Sequence, residues 1–248
     1  MPDYTKEHGT TFINVNTGES RHSYRDFGLF PSEVNMPDPP GIQTQFIEVP
    51  GMDGTLDVTE ALDGTIHYDD RDYSQKYIDI IGRNGMHTRY SALQNFLHGK
   101  RMRMILDDDP DWYYEGRFTI GDPSPVNFKN TVKIQAVLRP FKYAINSTVD
   151  DWLWDPFNFD SGIIREYNNI EIEQTRDVTV IGSEMPIVPI ITVNSENGDG
   201  IDLIYEGNRY HLSDGKNRIV TMVITAHEYI FHFEGIGVVS IEFREGSL

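Results

Sequence analysis

The residues best equipped for chemistry are acids and histidines. Asp107, Asp108 and Asp109 form a dense run of hard oxygen ligands. An EF-hand calcium loop spaces its ligands at alternating positions, with Gly sixth and Glu twelfth. Here Pro110 follows at once, so the run reads as a solvated turn. Eight histidines are scattered along the chain: His8, His22, His67, His87, His98, His211, His227 and His232. His227 is followed by Glu228, but the next histidine, His232, stands five positions on, so no HExxH motif forms. A zinc site needs convergent ligands at recognisable spacing, and the absence of cysteine removes thiolate sites, disulfides and Cys nucleophiles. A glycosidase needs two carboxyls at a defined separation. Asp155 with Asp160 is one conceivable pair, yet among 39 acids any chosen pair carries little information. There is no GxSxG elbow and no GxxxxGK[ST] loop, and Gly51-Met52-Asp53-Gly54 is too short and too acidic to cradle phosphate. Asn146-Ser147-Thr148 fits a glycosylation sequon only in a secreted chain. The expectation is therefore a protein that is not an enzyme and holds no cofactor or metal.

Two clusters could bind rather than react. Trp152, Trp154, Phe157 and Phe159 could stack on sugar rings, or could pack between two domains, as large aromatics do when they bury area. Gly51, Asp53 and Gly54 supply turn chemistry, and Leu56, Val58, Ala61 and Leu62 follow as apolar residues without a steady period. Residues 49–65 read either as an arm lying on a neighbouring subunit or as an ordinary intramolecular loop.

The elements that must position these groups are mainly β. Val132, Ile134, Ala136 and Leu138 alternate with Lys133, Gln135 and Val137, the period of a half-buried strand. Residues 77–81, 101–106 and 113–120 also read as strands, the last two joined through a loop at 107–111. One helix is predicted, capped by Thr88, striped by Tyr90, Leu93, Phe96 and Leu97, and ended by Gly99, with Lys100 and Arg101 at the negative end of its dipole. A boundary falls after residues 139–143, giving an N-terminal domain 1–145 and a C-terminal domain 146–248. Beyond the aperiodic stretch 146–160, eight short β-like runs follow: 170–173, 178–181, 187–193, 201–205, 210–212, 219–224, 229–233 and 238–243. Such spacing argues a β-sandwich.

Composition sets the limits. Thirteen Tyr, thirteen Phe and three Trp allow a real core. The longest apolar run, 185–193, is broken by Pro186, Pro189 and Thr192 and is far shorter than the ~20 residues of a membrane span. The first residues have neither the basic nor the apolar region of a Sec signal, so neither membrane insertion nor Sec export is expected. The formal net charge is -18. That charge disfavours tight nucleic-acid binding and suits a surface past which DNA slides.

Three stretches in order resemble the distal tail protein (Dit) family of siphophages and prophages, parts of the phage tail tip and baseplate hub. The first is Ile47-Glu48-Val49-Pro50-Gly51-Met52-Asp53-Gly54-Thr55-Leu56-Asp57, continuing to Leu62. The second runs from Leu97-His98-Gly99-Lys100-Arg101-Met102 through Leu106-Asp107-Asp108-Asp109-Pro110 to Tyr113-Tyr114-Glu115-Gly116-Arg117. The third is Gly235-Ile236-Gly237-Val238-Val239-Ser240-Ile241-Glu242-Phe243-Arg244-Glu245-Gly246-Ser247-Leu248. Asp26-Phe27-Gly28-Leu29 resembles the family's opening; Met52 departs from it, standing where a polar or basic residue is expected.

The resemblance implies a mainly β protein. Its N-terminal domain is a tail-tube-like split β-barrel or sandwich that closes a homohexameric ring, and its C-terminal domain is a galectin-like β-sandwich. It implies a structural adaptor at the virion tail tip, assembled in the bacterial host cytoplasm, joining the tail tube to the tip complex around a channel for DNA. Its implied partners are further copies of itself, the major tail tube protein, the tail-tip hub or tail-associated lysin protein, and receptor-binding protein at the periphery. Genomic DNA passes without specific binding. Gly51, Asp53, Gly54, Leu56, Val58 and Leu62 are the expected oligomer interface. A carbohydrate-binding adhesion module acting through the C-terminal sandwich is the alternative, and a tail-associated hydrolase a weaker third.

Overall fold

The structure, a computed structural model, describes residues 9–61, 64–80, 85–126, 129–149 and 167–248. The fold is mainly β, and the chain divides into two compact units, Met1–Lys142 with Leu248, and Tyr143–Ser247. Among the described residues, no helix is long and apolar enough to cross a membrane.

In the first unit the elements are β1 (Thr10–Asn14), β2 (Ser20–His22), α1 (Ser23–Phe27), β3 (Leu29–Pro31), β4 (Phe46–Glu48), β5 (Thr55–Asp57), β6 (Arg71–Asp79), α2 (Met86–Leu97), β7 (Arg101–Leu106), β8 (Asp109–Ile120), β9 (Ser124–Val126) and β10 (Lys129–Leu138). β11 (Lys142–Ala144) crosses the boundary. One antiparallel sheet runs in the order β2-β1-β7-β8-β10-β6-β3. Period-2 alternation turns Phe12, Met102, Met104, Phe118, Ile134, Leu138, Tyr73 and Tyr77 to one face, where they are buried.

That sheet curls strongly. β1 and β6 are four places apart, so a flat sheet would hold them about 19 Å from each other. Yet Thr10 Oγ1 on β1 lies 2.8 Å from the Tyr77 hydroxyl on β6. Tyr73 donates to Asn35 Oδ1 at 2.6 Å and meets Tyr77 at 2.8 Å, and Asn35 Nδ2 donates back to Thr10 at 2.6 Å. Burial pushes both phenol pKa values up, and the closed ring of partners satisfies every hydroxyl in it. Phe118 packs edge-on to Phe12 and Tyr73 in the same interior. Leu93, Phe96 and Leu97 of α2 join this core, with Phe96 against Phe27.

α1 joins the two outer strands β2 and β3, a connection that only a curled sheet permits. Sequence reading finds one helix; the structure has a second, this five-residue turn. Its cap is a histidine, outside the usual Ser, Thr, Asp and Asn preference. His22 Nδ1 accepts the backbone N–H groups of Tyr24 and Arg25 at 3.2 Å each. Nδ1 being the acceptor, Nε2 carries the proton and donates to Asp107 at 3.0 Å. The longer helix also differs at its start: Gly85 stands at the N-cap and Thr88 lies inside the helix. The β7–β8 hairpin is tighter than expected, since Leu106 pairs with Asp109 and Pro110 falls within the strand.

The second unit holds β12 (Ile170–Ile172), β13 (Thr175–Ile181), β14 (Ile190–Ser195), β15 (Ile201–Tyr205), β16 (Asn208–Leu212), β17 (Gly215–Arg218), β18 (Glu228–Glu234), β19 (Gly237–Glu242) and β20 (Gly246–Ser247). Among the described residues, two four-stranded sheets form, β12-β19-β14-β17 and β13-β18-β15-β16. Ile191, Val193, Val239 and Ile241 of one meet Val180, Leu203, Phe231 and Phe233 of the other in a single core. This is a β-sandwich. Glu206 and Gly207, both at positive φ, make the two-residue turn between β15 and β16. The expected strand at 219–224 is not one. Its β-branched run goes into a turn, with Met222 N–H bonded to Ile219 O and one bridge from Ile224 to Ile187, and β17 just before it pairs instead.

Candidate oligomerisation arm

Between β3 and β6 the chain leaves the sheet and returns as a two-stranded ribbon. The segment first follows β6, with Ser32 N–H bonded to Lys76 O and Asp38 N–H to Asp72 O. Pro37, Pro39 and Pro40 then stiffen the root by fixing φ. The ribbon is bonded along its length: Asp69 to Gly41 at 2.8 Å, Gln43 to His67 at 2.9 Å and Val58 to Gln45 at 2.9 Å. β4 and β5 close it, pairing Phe46 with Asp57, Ile47 with Leu56 and Glu48 with Thr55. Gly51 at φ 86° and Gly54 at φ 82° make the tip, where a side chain would be strained. Asp57 accepts from the Thr59 N–H and hydroxyl, which lowers its pKa.

Pairing fixes which side chains share a face. Phe46, Glu48, Thr55 and Asp57 project to one side of the ribbon, Ile47 and Leu56 to the other. Both sides are open to solvent, with Phe46 55% exposed and Ile47 and Leu56 46% each. Val34, Met36, Ile42, Val49, Met52 and Ile66 are exposed as well. An isolated two-stranded hairpin is marginal in water, and the exposed apolar side chains on both sides make this ribbon a candidate interaction surface.

The sequence-read interface residues fall on this ribbon. Gly51, Asp53 and Gly54 lie at the tip, Leu56 on β5, and Val58 is half-buried just beyond it. Leu62 lies outside the described residues. Sequence reading missed Phe46 and Ile47, whose signal was the short run Phe46-Ile47-Glu48-Val49 opposite Thr55-Leu56-Asp57. Trp152, Trp154, Phe157 and Phe159, and the pair Asp155 and Asp160, also lie outside the described residues.

Several of the other acids and histidines are engaged locally. The aspartate run does not converge: Asp107 takes His22 and the Gly9 N–H, while Asp109 pairs with Lys142 at 2.7 Å. His98 Nδ1 accepts the Ile120 N–H. On the outer face of β13-β18-β15-β16, His232 binds Asp177 at 2.5 Å and His211 binds Asp202 at 2.7 Å. The hydrogen bond to Asp177 raises the His232 pKa. Among the described residues, no three His, Asp or Glu side chains are placed to share a metal ion.

No protein-family model matches this chain, and no curated protein sequence does. Its fold does match a solved one. The chain superposes on the crystal structure of the SPP1 Dit protein (gp 19.1), described as a paradigm of hub adsorption apparatus in phages infecting Gram-positive bacteria. The TM-score is 0.60 at 14% identity, over 96% of this chain and 99% of that one. What the two share is the fold, along nearly their whole lengths.

Proposed function

We propose that this chain is a structural protein of a phage tail tip, a homohexameric distal tail adaptor that joins the tail tube to the tip complex around a channel for DNA. The observation that carries the reading is the end-to-end fold match to a hub protein of a phage adsorption apparatus. The sequence motifs point the same way independently. The exposed ribbon supplies what ring closure requires, since a head-to-tail interface needs one surface reaching out and a different one receiving it. The product of such a protein is geometry, and its partners are neighbouring copies, the tail tube above and the hub or lysin protein below.

Mass photometry tests this directly. The expected species is six times the 28.5 kDa chain. Gln45 and Val58 face each other across the ribbon, so residues 46–57 can be replaced by Asn-Gly, a two-residue turn that suits such a gap. That variant should keep its circular dichroism and run as a monomer. A wild-type chain that stays monomeric at every concentration refutes the reading, and a shortened chain that still forms rings refutes the ribbon's part in it.

A further inference from the structure

We propose that the solvent face of the N-terminal sheet is the seat for the acidic ribbon of a neighbouring copy. This rests on the ring reading and adds to it the receiving surface and the force that selects it.

The face is electropositive on an acidic chain. Arg101 and Arg103 of β7, Arg117 of β8, Lys133 of β10, Arg139 just after it and Lys76 of β6 alternate outward from the buried rows. Glu115 and Asp72 are the acids among them. Six cations against two acids contrasts with 21 Lys and Arg against 39 Asp and Glu in the whole chain.

Moreover, like charges are set directly opposite each other. Arg101 pairs across the ladder with Arg117, and Lys133 with Lys76. Opposed like charges destabilise a sheet, so the isolated subunit carries repulsion that an anionic partner would relieve. Glu115, its side chain 8% exposed, gathers Arg101, Arg103 at 3.3 Å and Arg139 at 3.8 Å. It holds the three guanidinium groups in place. Arg117 donates to a neutral carbonyl, that of Gly99.

The matching anion is in the same sequence. From residue 26 to residue 70 there are ten Asp and Glu and no Lys or Arg. Within the ribbon, Glu48 and Asp57 share one side with Phe46. Val137, 53% exposed among the cations, offers Phe46 an apolar contact. Complementary charge of this kind sets register and suppresses wrong docking.

Reversing charge on each side tests the seat. Lys76→Glu with Lys133→Glu, or Arg101→Glu with Arg117→Glu, should raise the concentration for half-assembly on the order of a hundredfold. Reversing both lysines replaces one opposed like pair with another, so that subunit should melt close to wild type, whereas Arg101→Glu strips Glu115 of a partner and should lower the melting temperature, which makes the lysine pair the cleaner test. Glu48→Lys with Asp57→Lys should do the same, and combining the reversed ribbon with a reversed face in one chain should restore rings. High salt should loosen the wild-type ring. If excision of 46–57 gives monomers while face reversal leaves rings unchanged, the seat is wrong and the ring reading stands. If wild type never assembles, both fall. Should the face variants instead abolish binding of a short DNA duplex with assembly intact, the face serves a polyanion and the proposal is overturned.

Discussion

The two units put the same strand chemistry to opposite use. In the C-terminal sandwich two sheets cover each other, and the apolar faces of both are consumed within the chain. Among its described residues the exposed large apolar ones, Ile145, Val220, Val223, Ile230 and Ile236, are spread along the unit. In the N-terminal unit nine exposed large apolar residues crowd into residues 34–66, and the sheet of the same unit sets cations opposite one another. The difference teaches where the proposed assembly would reside: among the described residues the sandwich covers its own apolar faces, whereas the ribbon leaves apolar side chains in solvent.

Substitutions that separate the two units sharpen the comparison. Phe231 is fully buried and packs against Tyr205 and Phe233. Phe231→Ala should cost about 3–5 kcal/mol, the range for emptying an aromatic site. Denaturant unfolding should show the loss in the sandwich while N-terminal ring assembly persists. A Phe231→Ala protein with an unchanged midpoint would deny that the sandwich core is self-sufficient.

Inside the half-barrel, Tyr77→Phe removes the hydroxyl shared by Thr10, Tyr73 and Asn35. The expected loss is about 1–3 kcal/mol, because buried partners are left short of a bond. The same measurement on the N-terminal unit checks it, and a neutral result would show the curl to rest on apolar packing alone.

The ribbon should behave in the reverse way. Phe46→Lys changes a position that is 55% exposed, so subunit stability should move by about 0.5 kcal/mol or less. Rings should nevertheless disappear in mass photometry. Loss of folding would mean that the ribbon belongs to the unit's own core.

The smallest effect is electrostatic. The folded His232 pKa is raised above 6.5, chiefly by the hydrogen bond to Asp177. A raised histidine contributes stability that is fully present below the unfolded pKa and is lost as pH rises through the folded one. Melting temperature should therefore fall slightly as pH rises from 6.5 upward, and Asp177→Asn should flatten that slope. The pair is at the surface and screened, so the change should be near the limit of measurement.

Much of the fold was legible from residue order. The alternation Val132, Ile134, Ala136, Leu138 marked β10, the stripe Leu93, Phe96, Leu97 marked α2, and the short runs 201–205 and 210–212 marked β15 and β16. These are local signals, set by which face of an element meets water. The errors were equally physical. His22 caps α1 with a ring whose other nitrogen bonds Asp107, 85 residues away, a relation no local pattern reveals. Residues 219–224 have strand composition, but β17 occupies the edge of the sheet.

The candidate site was half legible. The glycines and Asp53 announced a turn, and Leu56 an apolar strand. That Ile47 stands opposite Leu56, and that Glu48 and Asp57 share a side with Phe46, depends on register, which the turn and the ladder decide together. Likewise each of Arg101, Arg117, Lys76 and Lys133 reads alone as a solvated polar position. Only pairing across the sheet sets them against one another. The sequence by itself determined the elements, the acidity and the absence of thiol chemistry, because these follow from composition and short-range periodicity. Tertiary structure decided the curl, the free ribbon and the charged face, because each is a relation between residues far apart in the chain.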